Sequence, residues 1–230
     1  MKKIILPSHY NYVGVFLTFG CQLNCSYCVN RYKKANPKYK QLTTEDWIKG
    51  LNRLELKDDL PITLQGGEPT LYPGFYDIVN GIKPETNIDI LTNAMFDVDE
   101  FIKRIKPDRC RRNSPYASIR ISYHPERMEL TSTMEKVLKL LDNGYSVGVW
   151  IVDHPRDTKV ANICYELLIQ EKIDCRMKEF LGEYEDKNYG TYFYPKAVDG
   201  KPKHCLCKPS ELLIAPDGSI HRCHYELYNN

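Results

Sequence analysis

The chain has 230 residues, 42% of them hydrophobic and 27% charged, with a formal net charge of +2 from 32 basic and 30 acidic side chains. That composition supports one sizeable core with a small addition and excludes wholesale disorder, and its near-neutral balance creates no overall field to draw nucleic acid or an anionic membrane. Lys2 and Lys3 open the chain, but Pro7, His9 and Asn11 interrupt the apolar residues around them and neither a small-residue cleavage site nor a bilayer-long apolar run follows, which points to a cytoplasmic protein with no membrane partner.

In chain order, "VGVFLTFG" (13–20) is a short apolar, aromatic-rich run that predicts a buried strand delivering Cys21, so the residues beyond it form a loop. "TTEDWIKGLNRLEL" (43–56) opens with a Thr cap and acidic residues and spaces Trp47, Ile48, Leu51, Leu54 and Leu56 near a helical period, which predicts the first helix. The alternation then repeats as strand 61–65, helix 72–82, strand 87–93, helix 97–105, strand 117–123, helix 129–144, strand 146–152, helix 158–172 and strand 174–180. Strands alternating with helices imply an α/β fold with right-handed crossovers and a parallel sheet, either open and doubly wound or curved into part of a barrel. In both cases functional loops gather at the C-terminal ends of the strands. From Leu181 the alternation gives way to a Tyr-rich, charged stretch (182–203), so residues 1–180 are expected to form the core and 181–230 an appendage.

Nine cysteines, an odd number without a secretion signal, argue against a disulfide framework and for metal ligation. Cys21, Cys25 and Cys28 form C-x-x-x-C-x-x-C on the loop after the first strand. Soft thiolates on a short turn suit three corners of an iron–sulfur cube, which leaves one iron open. Zinc usually draws on paired C-x-x-C knuckles and fits this spacing less well, while a reading as core cysteines must accommodate the flanking Gln22, Asn24 and Ser26.

Gly66-Gly67-Glu68-Pro69 follows the second strand directly. Alone it is a common strand-end turn, with glycine allowing unusual backbone angles and proline ending the strand. Together with the cysteine loop after strand one, in a chain of six strand-helix units, it resembles the radical S-adenosylmethionine superfamily over residues 13–180. The resemblance implies a partial (β/α)6 TIM-like barrel in which Cys21, Cys25 and Cys28 ligate a [4Fe-4S] cluster and S-adenosylmethionine chelates the open iron. It also implies reductive cleavage to a 5′-deoxyadenosyl radical that abstracts a substrate hydrogen, with an electron donor such as flavodoxin or ferredoxin as partner.

Carried over by position, Tyr27 lies next to the adenine, Gly66, Gly67 and Glu68 hold the amino group of S-adenosylmethionine, and Pro69 shapes their turn. Thr92, Asn93 and Ser122 match positions that bind ribose or carboxylate, and Val152 matches one whose backbone pairs with adenine. Arg120 shares a strand face with Ser122, so it either reaches a carboxylate of cofactor or substrate or forms a salt bridge near the barrel mouth. Two further catalytic candidates sit at the active end: His124 for moving protons, and Lys178, which with Glu179 ends strand six so that one of the pair faces the cavity.

Near the C-terminus, "ELLIAP" and "SIHRCHY" read as strands of a hairpin around the turn "PDGS". The run from Cys207 to Cys223 has the form C-x(10)-G-x(4)-C, which resembles the opening of SPASM and twitch extensions and implies an auxiliary iron–sulfur cluster. Cys205, Cys207 and Cys223 supply three ligands; the chain ends seven residues after Cys223, so the fourth is expected from elsewhere or not at all, and truncation of a longer protein would account for the abrupt end. His204, His221 and His224 crowd the same region and keep a zinc site as the alternative. The basic run 101–112 reads as a solvated helix face, Cys110 as a spare thiol, and Cys164 and Cys175 as core. The expected function is radical modification of a peptide or natural product. Alternatives are a sugar or nucleotide small molecule, activation of a glycyl-radical enzyme, or a non-catalytic iron–sulfur or zinc sensor.

Overall fold

The computed structural model describes residues 2–30, 40–111, 114–189 and 209–229. In its first half it contains β1 (Ile4–Ile5), β2 (Tyr12–Thr18), α1 (Thr44–Leu51), β3 (Leu54–Glu55), β4 (Ile62–Gly66), a 3-10 turn (Pro69–Leu71), α2 (Phe75–Gly81), β5 (Ile88–Thr92) and α3 (Val98–Arg104). There follow β6 (Ile119–Tyr123), α4 (Leu130–Asp142), β7 (Val147–Asp153), α5 (Thr158–Gln170), β8 (Asp174–Glu179), β9 (Gly182–Tyr184), β10 (Lys187–Tyr189), β11 (Glu211–Ile214), β12 (Ile220–His221) and α6 (His224–Asn229). Among the described residues no helix is long and apolar enough to cross a membrane.

The helices start where their caps predict. Thr43 accepts from the N–H of Asp46, and Asp97 from that of Glu100, satisfying donors a first turn leaves free. The first helix is shorter than its apolar spacing suggests, because Leu54 and Glu55 instead pair in parallel with Ile4 and Ile5. Asn52 stops it, donating to the Gly81 carbonyl and accepting from the Lys83 N–H at the end of α2.

The main sheet has eight strands in the order β12-β11-β2-β4-β5-β6-β7-β8, parallel except for β12. From β2 through β8 the order follows the chain without reversal, and that decides between the two architectures. Right-handed crossovers advancing in one direction put every helix on the same face, whereas a doubly wound sheet reverses and is covered on both. Alternation along the strands agrees: Val13, Val15, Ile62, Leu64, Ile88, Ile90, Ile119, Ile121, Val147 and Val149 join Trp47, Phe75, Phe101, Leu140 and Leu168 of the helices in one core. The opposite face carries Thr63, Gln65, Asp89, Arg120 and Ser122, residues suited to line a cavity. The fold is thus a curved, mostly parallel α/β sheet; the described strands leave β8 and β12 as its edges.

The C-terminal hairpin forms as expected, but it is built into this sheet: Glu211 to Ile214 pair in parallel with Tyr12 to Val15 of β2. Leu213 and Ala215 pack with Phe16, Phe19 and Leu227 in a second apolar cluster that seals this side. The segment read as one strand, "SIHRCHY", is strand only at Ile220–His221. Glu226 caps the Arg222 N–H at 2.7 Å, and the chain turns into α6, so Cys223 lies at a helix entrance.

Candidate active site

The site is assembled where β2 and β4 end. Past the strands, the Gly67 N–H donates to the Thr18 carbonyl and the Glu68 N–H to the Gly20 carbonyl, both at 2.8 Å. The two chain segments run so close that a Cβ on Gly67 would fall on the carbonyl oxygen of Gly20, and one on Gly66, whose φ is +149°, on that of Thr18. The cysteine loop that starts from Gly20 is therefore fastened to the Gly-Gly turn. Asn30 closes it from the other end, donating to the Gly66 carbonyl at 2.7 Å.

Glu68 is fully buried and turns inward. Its Oε1 accepts from the Thr92 hydroxyl at 2.7 Å and from the Thr70 hydroxyl and N–H, while its Oε2 accepts from the Asn93 N–H at 2.7 Å. Burial pushes this carboxyl up, and the donors from Asn93, Thr70 and Thr92 pull against that. Its observed work is to lock the end of β5 to the end of β4. Thr92 and Asn93 are thereby set in place, and Asn93 directs its Nδ2 toward Cys21 Sγ at 3.5 Å.

Tyr27 stands between two histidines. Its hydroxyl pairs with His124 Nδ1 at 2.9 Å, and its ring stacks on His154 with centroids 5.1 Å apart. Burial raises its phenol above the usual range, and the carboxylate of Glu126 adds to the shift. Next to it, the Ser26 N–H donates to Glu126 at 2.7 Å, and Arg156 pairs with both Glu126 at 2.9 Å and Asp157. The loops after β6 and β7 thus grip the cysteine loop at its midpoint.

These elements enclose a cavity of about 350 Å³ bordered by all three motif cysteines, Tyr27, Gly66, Gly67, Thr92, Asn93, Ser122, His124 and Val152. Glu68 and Pro69 stand behind that wall rather than on it. Arg120 and Lys178 lie in a neighbouring cavity of about 290 Å³ that shares Leu91, Ser122 and Val152 with the first. Arg120 forms the salt bridge that was one of its two expected roles, at 2.9 Å to the buried Asp89.

The wall suits the implied cofactors. Two of its buried polar atoms have no partner among the described residues: Asn30 Oδ1, an acceptor, and Gln65 Nε2, a donor. An amino acid moiety presents an ammonium and a carboxylate, which need one of each. Three thiols border the same space, and among the described residues no three Cys, His, Asp or Glu side chains converge as for a single ion. Soft thiolates from one loop suit the irons of an iron–sulfur cluster.

Sequence reasoning passed over Asn30, Gln65, Glu126 and Arg156. Asn30 lies two residues past the last motif cysteine and was open to notice, but the partners of Glu126 and Arg156 lie too far along the chain for spacing to show. Cys164 and Cys175 are buried, as expected; Cys110, read as a spare thiol in a solvated run, is instead fully buried, and burial pushes the Cys110 and Cys175 thiols up to about 12. Within the basic run, Arg109 spends its guanidinium on the carbonyls of Val79, Ile82 and Pro84. Cys205, Cys207 and His204 lie outside the described residues. Cys223 is half-buried, His221 pairs with Ser219 at 3.0 Å, and His224 pairs with Glu211 at 3.1 Å.

A family model described as Radical SAM superfamily matches residues 15–154. Among curated proteins, 7-carboxy-7-deazaguanine synthase of Clostridium acetobutylicum is 29% identical over 94 residues, 39% of this chain and 41% of that protein. Sporulation killing factor maturation protein SkfB of Bacillus subtilis is 33% identical over 88 residues, 38% of this chain and 21% of that protein. The chain thus spans less than half the length of these curated relatives. Among solved structures, native anSMEcpe with bound AdoMet and Kp18Cys peptide superposes with a TM-score of 0.63 at 16% identity, over 93% of this chain and 74% of that one. Streptococcus suis SuiB bound to precursor peptide SuiA does so with 0.50 at 15% identity, over 96% and 61%. At such identities these two likenesses concern the fold.

Proposed function

Since the chain belongs to the Radical SAM superfamily, enzymes that use a [4Fe-4S] cluster and S-adenosylmethionine, we propose that it modifies a peptide, with the cluster on Cys21, Cys25 and Cys28. When bound, the two cofactors supply one-electron cleavage of the sulfonium and abstraction of a substrate hydrogen. The chain's residues bind and orient. Asn30 and the Gly66-Gly67 turn offer acceptors to the amino group, Gln65 offers a donor to the carboxylate, and Tyr27, fixed by His124 and His154, closes one side. Glu68 holds Thr92 and Asn93 in position from behind.

The observation that carries the peptide reading is a second, larger cavity of about 820 Å³ that shares Tyr27, Cys28 and Tyr228 with the cofactor cavity and is walled by β9. Among the described strands β9 pairs with β10 alone, and an extended peptide lying in this cavity would add to β9 as a further strand. Two of the solved structures that superpose on this chain hold a bound peptide. Cys205, Cys207 and Cys223 are proposed to hold an auxiliary iron–sulfur cluster, with zinc as the alternative. Flavodoxin or ferredoxin is the proposed electron donor. A small heterocyclic substrate is the second reading, favoured by the match to the deazaguanine synthase.

The test is anaerobic reconstitution of wild type and of a Cys21→Ala, Cys25→Ala, Cys28→Ala triple variant. Iron, sulfide and 5′-deoxyadenosine are measured under dithionite with and without a panel of short peptides. Wild type is expected to form 5′-deoxyadenosine, with peptide stimulating it, and the variant to lose about four irons per chain and all cleavage. Cleavage unaffected by any peptide but stimulated by a purine-like heterocycle would transfer the assignment to the second reading.

A further inference from the structure

The cavity of about 290 Å³ beside the cofactor cavity is not used by anything described above except as the place where Arg120 and Lys178 lie. Small-molecule pockets run from roughly 300 to 1,000 Å³, so this one admits a single side chain rather than a whole ligand. Ser122 and Val152 line both cavities, so a group seated here has the rest of its molecule beside the cofactor.

The charges facing this cavity are unbalanced. Arg120 gives one nitrogen to Asp89 at 2.9 Å, and its buried Nε has no acceptor among the described residues. Arg176 is committed to Asp174 and the Pro115 carbonyl, and lies over the rings of Tyr116 at 4.0 Å and Trp150 at 5.4 Å. Lys178, in register with Val152, lines the cavity and has no ion pair or hydrogen bond among the described residues. Its neighbours Met177 and Glu179 alternate to the opposite face of the sheet. Arg176 and Asp174 pair with each other outside the lining, so the two cations that line the cavity, Arg120 and Lys178, meet the one carboxylate of Asp89, which leaves room for one negative charge.

We infer that this cavity is the subsite for the side-chain carboxylate of an acidic residue in the substrate, bound by Lys178. The inference rests on the peptide-modifying reading and names the kind of residue that such a peptide carries. A carboxylate matches the single surplus charge, and a phosphate, which brings nearly two, does not. Trp150 and Tyr116 enclose the methylene stem of such a side chain. Anchored there, the peptide holds a neighbouring carbon beside the cofactor cavity, where orientation rather than affinity governs rate.

The test uses the reconstituted, oxidised holoenzyme with S-adenosylmethionine, labelled with 5-fluorotryptophan. The chain has two tryptophans: Trp150 lines the cavity and Trp47 is on the buried face of α1, so one fluorine resonance reports binding and the other reports the fold. Three probes separate the chemistry: N-acetyl-glutamate amide carries the side-chain carboxylate alone, N-acetyl-glutamine carries the terminal carboxylate alone, and N-acetyl-glutamine amide carries neither. The first is expected to shift the Trp150 resonance saturably. Lys178→Gln is expected to weaken it about tenfold, as for loss of a charged hydrogen bond, with both resonances of the probe-free variant unmoved and Lys178→Arg largely restoring it. Equal response to all three probes, an affinity unchanged in Lys178→Gln, or preference for the terminal carboxylate would each overturn the inference. 5′-Deoxyadenosine formation, measured on the same preparation, tells failure of the enzyme reading apart from failure of the subsite.

Discussion

The backbone N–H of Ser26 donates a 2.7 Å hydrogen bond to Glu126 Oε1, joining the middle of the cysteine loop to the loop after β6. Arg156 holds the other oxygen of Glu126 at 2.9 Å and is itself fixed by Asp157, so three loops meet at one carboxylate. Burial pushes that carboxyl up, but the Ser26 N–H and the Arg156 guanidinium outweigh it and the net shift is down. A residue that holds the loop between Cys25 and Cys28 decides how firmly the thiols are placed. Glu126→Ala is expected to lose iron to a chelator about five- to tenfold faster than wild type, the equivalent of one charged hydrogen bond, and Glu126→Gln, which keeps an acceptor for Ser26, less so. Identical loss rates in all three proteins would show that the clamp does not bear on the cluster.

Behind the cavity, Glu68 presents two oxygens to donors from Thr70, Thr92 and Asn93. Replacing it by glutamine turns one acceptor into an NH2 group facing another donor, so a buried contact becomes a clash of donors. Glu68→Gln is expected to destabilise the protein by about 2–4 kcal/mol. For a chain of this length that lowers the melting temperature by roughly 5–12 °C, and it should weaken S-adenosylmethionine binding because Thr92 and Asn93 lose their anchor. A variant that melts with wild type and binds the cofactor equally would mean that the carboxylate is dispensable.

Much of this was legible in local sequence. Each strand of the parallel run showed itself because residues such as Ile88 and Ile90, or Val147 and Val149, pack against helices at a period of two. The cysteine spacing and the Gly-Gly turn are short motifs whose chemistry depends on neighbours in the chain. What stayed hidden was tertiary. Strand order, which separates a barrel-like sheet from a doubly wound one, has no local signature, and neither does the pairing of β11 with β2 from opposite ends of the chain. Glu68 is conspicuous as a motif residue, but the direction of its carboxylate depends on Thr92 and Asn93, more than twenty residues away. Ser26 meets Glu126 only once β6 has been laid beside β5.

Gly67 tests the close approach of the two loops. A Cβ there meets the carbonyl of Gly20, which is backbone and has no rotamer by which to move aside. Gly67→Ala must therefore push the turn away from the start of the cysteine loop. The expected result is a loss of about 1–3 kcal/mol, typical of overpacking, with weakened S-adenosylmethionine binding measured by calorimetry. Gly50→Ala is the control, since nothing lies within 4 Å of a Cβ at that helical position, and it should match or exceed wild-type stability. If both variants behaved alike, the contact between the turn and Gly20 would not constrain the site.

His154 carries the pH dependence. Its ring is 4% exposed, lies against Tyr27, Phe180 and Tyr184, and accepts the Arg156 N–H at Nδ1, an arrangement that requires the neutral form. Burial lowers its pKa, and the charge of Arg156 lowers it further. Above the ordinary histidine value both folded and unfolded chains hold the ring neutral, and nothing is lost. As pH falls below about 6.5 the unfolded chain takes up a proton that the folded one resists, so stability declines until the folded value is reached. Between pH 7.5 and 5.5, wild type is expected to lose more stability than His154→Phe, which keeps the aromatic packing and cannot titrate. Denaturant melts of both proteins at the two pH values measure it; equal losses would mean that the ring is protonated within the fold.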